Sequence, residues 1–419
     1  MPATISPASR PALDAKFIAG GGEVSARSVP MSLASEMEGA VDAAVDSIAE
    51  DLKSLARRIH DNPELRFEEH KASAWISELL VRHGHEVERN LGGMPTALRA
   101  RAGASRGRRV AILAEYDALP GVGHACGHNL IAAAAVGGFL AAASVGGDGE
   151  IVFLGTPAEE GGGGKIAMVE AGVFDGIDAA MMFHPFDRDL LSHRALASLW
   201  LSAEFRGVPA HAAIAPHSGK SALTACLDTF RLVDGQRVHF RDGVRVHGYV
   251  TDGGQAINII PEHAACEFSV RATDGDELQR VLAIVERCAR AAAMASDVDV
   301  TVSVRRGYRD MVNNMTLARC FGSHLRALGR VPEERDPSVG AGSTDMGDVS
   351  HVVPAIHPWL AIVPRGAALC HEQRFAAAAR EEPAMATALV AAKALARTSL
   401  EFLADPELAS AAKAEWAAR

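Results

Sequence analysis

Residues 111–130 read AILAEYDALPGVGHACGHNL, and the rest of the chain is organised around this stretch. Ala111 to Ala114 are continuously apolar, as in a strand buried on both faces, and everything polar or glycine-rich follows at the strand's end. Open α/β sheets carry their sites there, beyond the carboxyl ends of their strands. His124, Cys126 and His128 fall close together in this loop. An imidazole and a thiolate two residues apart on a glycine-rich loop make half of a soft-ligand metal site. Taken alone, a Cys-Gly-His is equally a packed loop.

A second apolar run, Ile151 to Leu154, leads into Thr156-Pro157-Ala158-Glu159-Glu160 and then four glycines. Neighbouring side chains diverge in an extended or turning segment, so two adjacent glutamates suit two roles. One carboxylate can hold a metal while the other takes a proton from water; the plain alternative is a solvated acidic turn. A third strand, Ala179 to Phe183, ends at His184-Pro185, and His371 follows much later in Leu369-Cys370-His371-Glu372. Three strand ends with matching chemistry argue for a site more than any one of them does.

At this point the motifs EYDALPGVGHACGHNLIA, GTPAEEGGGGK, GVPAHAA, INIIPEHA and GSTDMGDVSHVVPAIHP, in that order, resemble the di-metal peptidase family of aminoacylases and glutamate carboxypeptidases. Within it they are similar to the amidohydrolase branch that contains aminobenzoyl-glutamate hydrolase and related dipeptidases. The resemblance runs from about Ser47 to Leu400. It implies an α/β catalytic domain with a mixed sheet flanked by helices, interrupted by a ferredoxin-like βαββαβ lid and dimerisation domain. It assigns metal ligation to Cys126, His128, Glu160, His184 and His371, and the role of general base to Glu159. The wider family has a His-x-Asp pair where this chain has Glu115-Tyr116-Asp117, which puts a ligand role for residue 115 in doubt. Asp117 then resembles a group that accepts a hydrogen bond from a liganding imidazole such as His128; a strand-end cap is the other reading.

The composition is that of an ordinary globular protein: 419 residues, 48% hydrophobic and 22% charged, long enough for two domains. A net charge of −10 argues against a nucleic-acid partner, and no apolar run suggests a membrane span. Residues 1–35 are rich in Ala, Ser, Pro and Gly and read as a tail without a secretory signal, which makes the cytoplasm the expected location. The six cysteines are scattered without paired spacing, as buried thiols in a reducing compartment would be.

Catalytic sequence is expected over 36–198 and again over 308–419. Met37, Val41, Val45, Ile48, Leu52, Leu55 and Ile59 recur at helical spacing over Glu36 to His60, and Asp61-Asn62-Pro63 ends that helix. A second helix is expected over about Glu69 to His83. His60, His70, His83 and His85, in or beside these amphipathic segments, read as surface or satisfied residues. An apolar helix from Leu130 to Ala143 and a closing helix from Met385 to Leu403 read as core. Between residues 199 and 307 strands and helices alternate in β-α-β-β-α-β order, the split arrangement expected of an inserted domain.

Two features of that insertion are read through the resemblance. His211 is similar to the family histidine that donates a hydrogen bond to a developing oxyanion, from the same subunit or from a partner. Asn258 and Arg271, flanking Ile259-Ile260-Pro261, resemble a pair that grips a substrate carboxylate, and an arginine's planar fork suits that task. The expectation is thus a homodimeric metallohydrolase with two divalent ions, zinc first and manganese or cobalt next, cutting the amide of N-acyl amino acids or dipeptide-like substrates that carry a free carboxylate. Hydrolysis of aminobenzoyl-glutamate, or of a dipeptide with a basic C-terminal residue, is the alternative. A cysteine hydrolase using Cys126 and His128, or a non-catalytic binding protein, are rivals of a different kind.

Overall fold

The computed structural model describes residues 31–419. Most of the tail expected over 1–35 lies outside that range. The helix expected over Glu36 to His60 is two helices, α1 (Met31–Ser47) and α2 (Ala49–Asp61). They part at Ile48, whose N–H reaches back only three residues, to the Val45 carbonyl at 3.2 Å. The break lets Val41 and Val45 on one piece and Leu52, Leu55 and Ile59 on the other all reach the core.

There follow α3 (His70–Arg82), β1 (Val87–Leu91), β2 (Met94–Gly103), β3 (Arg109–Ala114), α4 (His128–Val145), β4 (Glu150–Gly155), α5 (Gly164–Glu170), β5 (Ala179–Met181) and β6 (His184–Phe186). The main sheet is mixed, and its order, β1-β2-β4-β3-β5, is continued by a strand from the end of the chain. Strands β3, β4 and β5 are parallel and buried, so they read as unbroken apolar runs. Helix α4 is long and apolar enough to cross a bilayer, but 83% of it is buried inside the fold. Gly137 in α4 permits this packing: a Cβ there would stand 2.6 Å from Leu52 Cδ1. Glycine in a helix interior costs about 1 kcal/mol relative to alanine, which the close approach offsets.

The middle of the chain forms β7 (Ala197–Arg206), α6 (Ala222–Gln236), β8 (Arg245–Asp252), β9 (His263–Ala272), α7 (Gly275–Ser296) and β10 (Asp299–Arg306). These four strands make a separate antiparallel sheet in the order β10-β7-β9-β8, with its own apolar core of Leu201, Phe205, Cys226, Phe268, Val281 and neighbours. Helix α7 starts where Asp274 accepts the Glu277 N–H at 2.8 Å, an N-cap readable in the sequence.

The chain then returns as α8 (Met315–Ala327), α9 (Met346–Ser350), β11 (Ala355–Ile356), β12 (Trp359–Ala361), α10 (Gln373–Ala378), α11 (Glu382–Ala404) and α12 (Pro406–Ala417). Strand β11 joins the main sheet parallel to β5, and β12 pairs with β6 so that Trp359 lies opposite His184.

Candidate active site

The parallel register brings the site together. Ala114 at the end of β3 lies opposite Gly155 at the end of β4, and Ile112 opposite Met181 on β5. The loops that follow these strands therefore open at one edge, where they present Cys126 and His128, Glu159 and Glu160, and His184. His371 reaches the same place from the loop after β12, held by its N–H to the Ala125 carbonyl at 3.0 Å.

Donor atoms of Cys126, His128 and His184 lie within 4.8 Å of one another, as do those of Cys126, Glu160 and His371. Cys126 is common to both groups, so the five side chains read as two adjacent three-donor sites sharing one thiol. The tautomers fit metal binding. His128 Nδ1 faces two acceptors, the Asp117 carbonyl at 3.0 Å and Asp117 Oδ1 at 3.1 Å, so it carries a proton and Nε2 is the nitrogen turned to the cluster. Against the pull of burial, Glu115 and Asp117 hold this imidazole well above its ordinary value, and a cation at Nε2 would displace the second proton. His184 Nδ1 likewise meets the Pro185 carbonyl at 2.7 Å. His128 Nε2 and Glu160 Oε1 are buried without a hydrogen-bond partner. Buried polar atoms are almost always paired, so these two mark a place that suits a cation. Burial pulls His184 down to about 4, which keeps it neutral as a ligand must be.

Glu159, beside this cluster, is nearly buried, and burial, with Glu115, Glu160 and Asp345 next in effect, pushes its carboxyl well above the usual range. A cation alongside would pull the other way. Cys370, burial and Glu160 push the Cys126 thiol well up, the opposite of the shift that activates a nucleophilic cysteine. That weighs against the cysteine-hydrolase rival.

The loop carrying the two glutamates is under strain. Ala158 has φ of 61° and His371 φ of 72°, left-handed values that non-glycine residues rarely adopt. Gly164 closes the turn, where a Cβ would lie 1.8 Å from the Pro157 carbonyl oxygen. Glu69, fully buried, holds the strained backbone. Its Oε1 accepts the N–H of Ala158 at 2.9 Å and of Phe67 at 2.8 Å, and its Oε2 accepts the Thr96 hydroxyl at 2.9 Å. The Tyr308 hydroxyl donates to the Glu159 carbonyl at 2.6 Å. Asp117 also takes part, accepting the Glu160 N–H on Oδ2 at 2.8 Å.

Glu115 stands between a lysine and the cluster, its Oε2 buried without a hydrogen-bond partner 3.4 Å from His128 Nε2 and its Oε1 facing the lysine. Lys165 Nζ lies 2.5 Å from Glu115 and 2.7 Å from Asp345, and all three side chains are fully buried. Sequence reasoning passed over Glu69, Lys165 and Tyr308, and only the run of glycines before Lys165 hinted that its backbone lies against something.

A cavity of about 600 Å³ opens beside the cluster, lined by Phe186, Trp200, Arg271, Tyr308, Ser343 and Trp359 together with the donors Cys126, Glu160, His184 and His371. Trp200 and Arg271 come from β7 and β9 of the inserted domain, Phe186 and Trp359 from the β6–β12 pair. Arg271 Nη1 donates to Ser343 Oγ at 3.0 Å, which aligns the arginine from the segment just before α9.

Two of the expected residues stand apart from the cavity of their own chain. Neither His211 nor Asn258 lines this cavity, and Asn258 does not pair with Arg271. Arg271 is on strand β9, whereas His211 and Asn258 occupy two exposed loops that hold each other, the Ala212 N–H donating to the Asn258 carbonyl at 2.9 Å. After Ile259-Ile260-Pro261 the chain leaves the loop and runs along β9 before reaching Arg271, which separates the two residues.

The model of peptidase family M20/M25/M40 matches residues 111–398, a span that contains all five donors and Glu159. The chain is 36% identical over 391 residues to the Xaa-Arg dipeptidase of Mus musculus, covering 89% of this chain and 90% of that protein. It is 33% identical over 315 residues to one component of the p-aminobenzoyl-glutamate hydrolase of Escherichia coli (strain K12), covering 69% of this chain and 65% of that component. In fold it is similar to the crystal structure of YXEP from Bacillus subtilis, described as a dinuclear metal binding peptidase, with a TM-score of 0.68 at 20% identity over 85% of this chain and 99% of that one. With the family model matched over the whole span of the cluster and a relative covered along nine-tenths of its length, the chain belongs to peptidase family M20/M25/M40.

Proposed function

We propose that the protein is a metal-dependent hydrolase of amide bonds whose nitrogen belongs to an amino acid with a free carboxylate. The convergence of Cys126, His128, Glu160, His184 and His371 around Glu159 carries this reading. The donor set, thiolate, imidazole and carboxylate, suits two divalent ions, zinc before manganese or cobalt. Such ions would acidify a water and polarise the scissile carbonyl. Glu159 takes the proton from the attacking water and returns it to the departing nitrogen, help worth about a hundred- to ten-thousandfold. Asp117 fixes the tautomer of His128. Arg271 receives the substrate carboxylate through its planar fork, and Phe186, Trp200 and Trp359 receive the other side of the amide.

His211 and Asn258 act from a second copy of the chain. Their loops are exposed and carry Ile257, fully exposed, and Ile259, 45% exposed, an apolar pair suited to a partner surface. The inserted domain then serves as dimerisation element and lid. The free cysteines fit a reducing compartment, in line with the cytoplasm. Xaa-Arg dipeptides come first as substrates, from the relative that matches over most of its length. Aminobenzoyl-glutamate is the second reading, favoured by the aromatic wall of the cavity.

The test is metal content by elemental analysis of wild type and Glu159→Ala, with hydrolysis of Xaa-Arg dipeptides, N-acyl amino acids and aminobenzoyl-glutamate. Equal metal in both proteins with cleavage only by wild type is expected. Wild type that carries no metal and survives chelation with full activity would overturn the reading.

A further inference from the structure

A second group of metal-type donors lies away from the cavity, where α8 meets α11. Cys320 and His324 stand four residues apart on α8 and so share a face, while Glu401 comes from α11. One donor atom from each lies within 4.8 Å of the others. His324 is 4% exposed, and its Nε2 is buried without a hydrogen-bond partner. That nitrogen is 2.8 Å from Glu401 Oε2, so the two atoms are close but lack the alignment of an N–H···O bond. His324 Nδ1 is 3.3 Å from Glu38 Oε1 on α1.

The pattern repeats the one at the strand ends. There a carboxylate, Asp117, faces Nδ1 of His128 and leaves Nε2 orphaned toward a thiol and a carboxylate; here Glu38 faces Nδ1 of His324 and leaves Nε2 orphaned toward Cys320 and Glu401. The surroundings are acidic. Glu38 and Asp42 flank the cation Arg397, whose Nη2 pairs with Asp42 at 2.8 Å and whose Nη1 is 3.5 Å from Glu38. Arg397 leaves Glu401 to the cluster.

We propose that Cys320, His324 and Glu401 hold a zinc ion that joins α8 to α11, with Glu38 orienting the imidazole and thereby tying α1 to the same point. A thiolate, an imidazole nitrogen and a carboxylate oxygen are three of the donors zinc takes in tetrahedral sites, and the 40% exposed side chain of Glu401 leaves room for water as the fourth. Binding releases the thiol proton of Cys320 to solvent and involves no change of oxidation state.

The test compares zinc per chain in the full-length protein after dialysis against limiting zinc, for wild type, His324→Ala, Glu401→Gln and His128→Ala. One zinc fewer in both His324→Ala and Glu401→Gln than in wild type is expected, with amide hydrolysis retained. His128→Ala keeps that zinc and loses hydrolysis, so the two sites fail separately. Glu401→Gln alters a half-exposed side chain and guards against misfolding of His324→Ala. In cobalt-loaded protein on a Cys126→Ser background, the thiolate-to-cobalt absorption band is expected to vanish on adding Cys320→Ser. Equal zinc in wild type and both variants, or a cobalt band indifferent to Cys320, would overturn the proposal.

Discussion

The edge of the main sheet and the exposed loops of the inserted domain both carry residues that sequence reading assigned to chemistry, but they hold them differently. At the sheet edge, Cys126, His128, Glu160 and His184 leave parallel strands whose register is set by backbone pairing, and Asp117, Glu69 and Lys165 brace them from behind. In the inserted domain, His211 and Asn258 brace each other through the main chain and are exposed. The buried and braced half meets the cavity of its own chain, whereas the exposed half does not line it.

The contrast can be broken most severely at Glu159. Glu159→Ala is expected to lower kcat about a hundred- to ten-thousandfold with metal content and melting temperature unchanged; unchanged kcat would remove the sheet edge from the chemistry. Lys165→Met comes next. It leaves Glu115 and Asp345 buried without their cation and is expected to cost about 3–5 kcal/mol in urea unfolding, as breaking a buried ion pair does; a loss under about 1 kcal/mol would mean that the bracing is incidental.

His211→Ala sharpens the other side of the comparison. It is expected to lower kcat by about a hundred- to a thousandfold with no change in melting temperature, since an exposed imidazole supports no core. Mixing it with Glu159→Ala should restore some activity if the two halves of a site come from different chains, and no restoration would place His211 elsewhere.

The smallest effect concerns Glu69. Burial, with Asp117 second, raises its carboxyl from 4.5 to about 7. The folded protein therefore keeps this proton to a higher pH than the unfolded chain, so the stability it contributes is full below about 4.5 and is lost as pH rises toward 7. The wild-type urea midpoint should fall across that window more steeply than that of Glu69→Gln, and parallel profiles would refute the assignment.

What was legible follows the same division. Strands β3 and β4 declared themselves because both faces are buried and polar, glycine-rich loops follow them, and the β-α-β-β-α-β order showed in alternating periods. The donors were legible because few residue types bind metal and they cluster at strand ends. Glu69 was not, because it sits at the start of an amphipathic helix and meets Ala158 only after folding. Lys165 reads as a solvated charge until Asp345 arrives beside it. The break at Ile48 is invisible to a periodicity that both helices satisfy. His211 and Asn258 were identified by resemblance, but resemblance carries no coordinates, and the loops that hold them sit outside the cavity of their own chain.

The pairing of Lys165 with Asp345 has a consequence for the order of events during synthesis. The two residues lie on either side of the inserted domain, and β11 and His371 come later still. As the chain emerges from the ribosome, the insertion, continuous in sequence and with its own core, can fold first. The larger domain must wait for its second half, and until then its buried charges remain in water. The growing polypeptide therefore cannot hydrolyse anything until synthesis has passed His371.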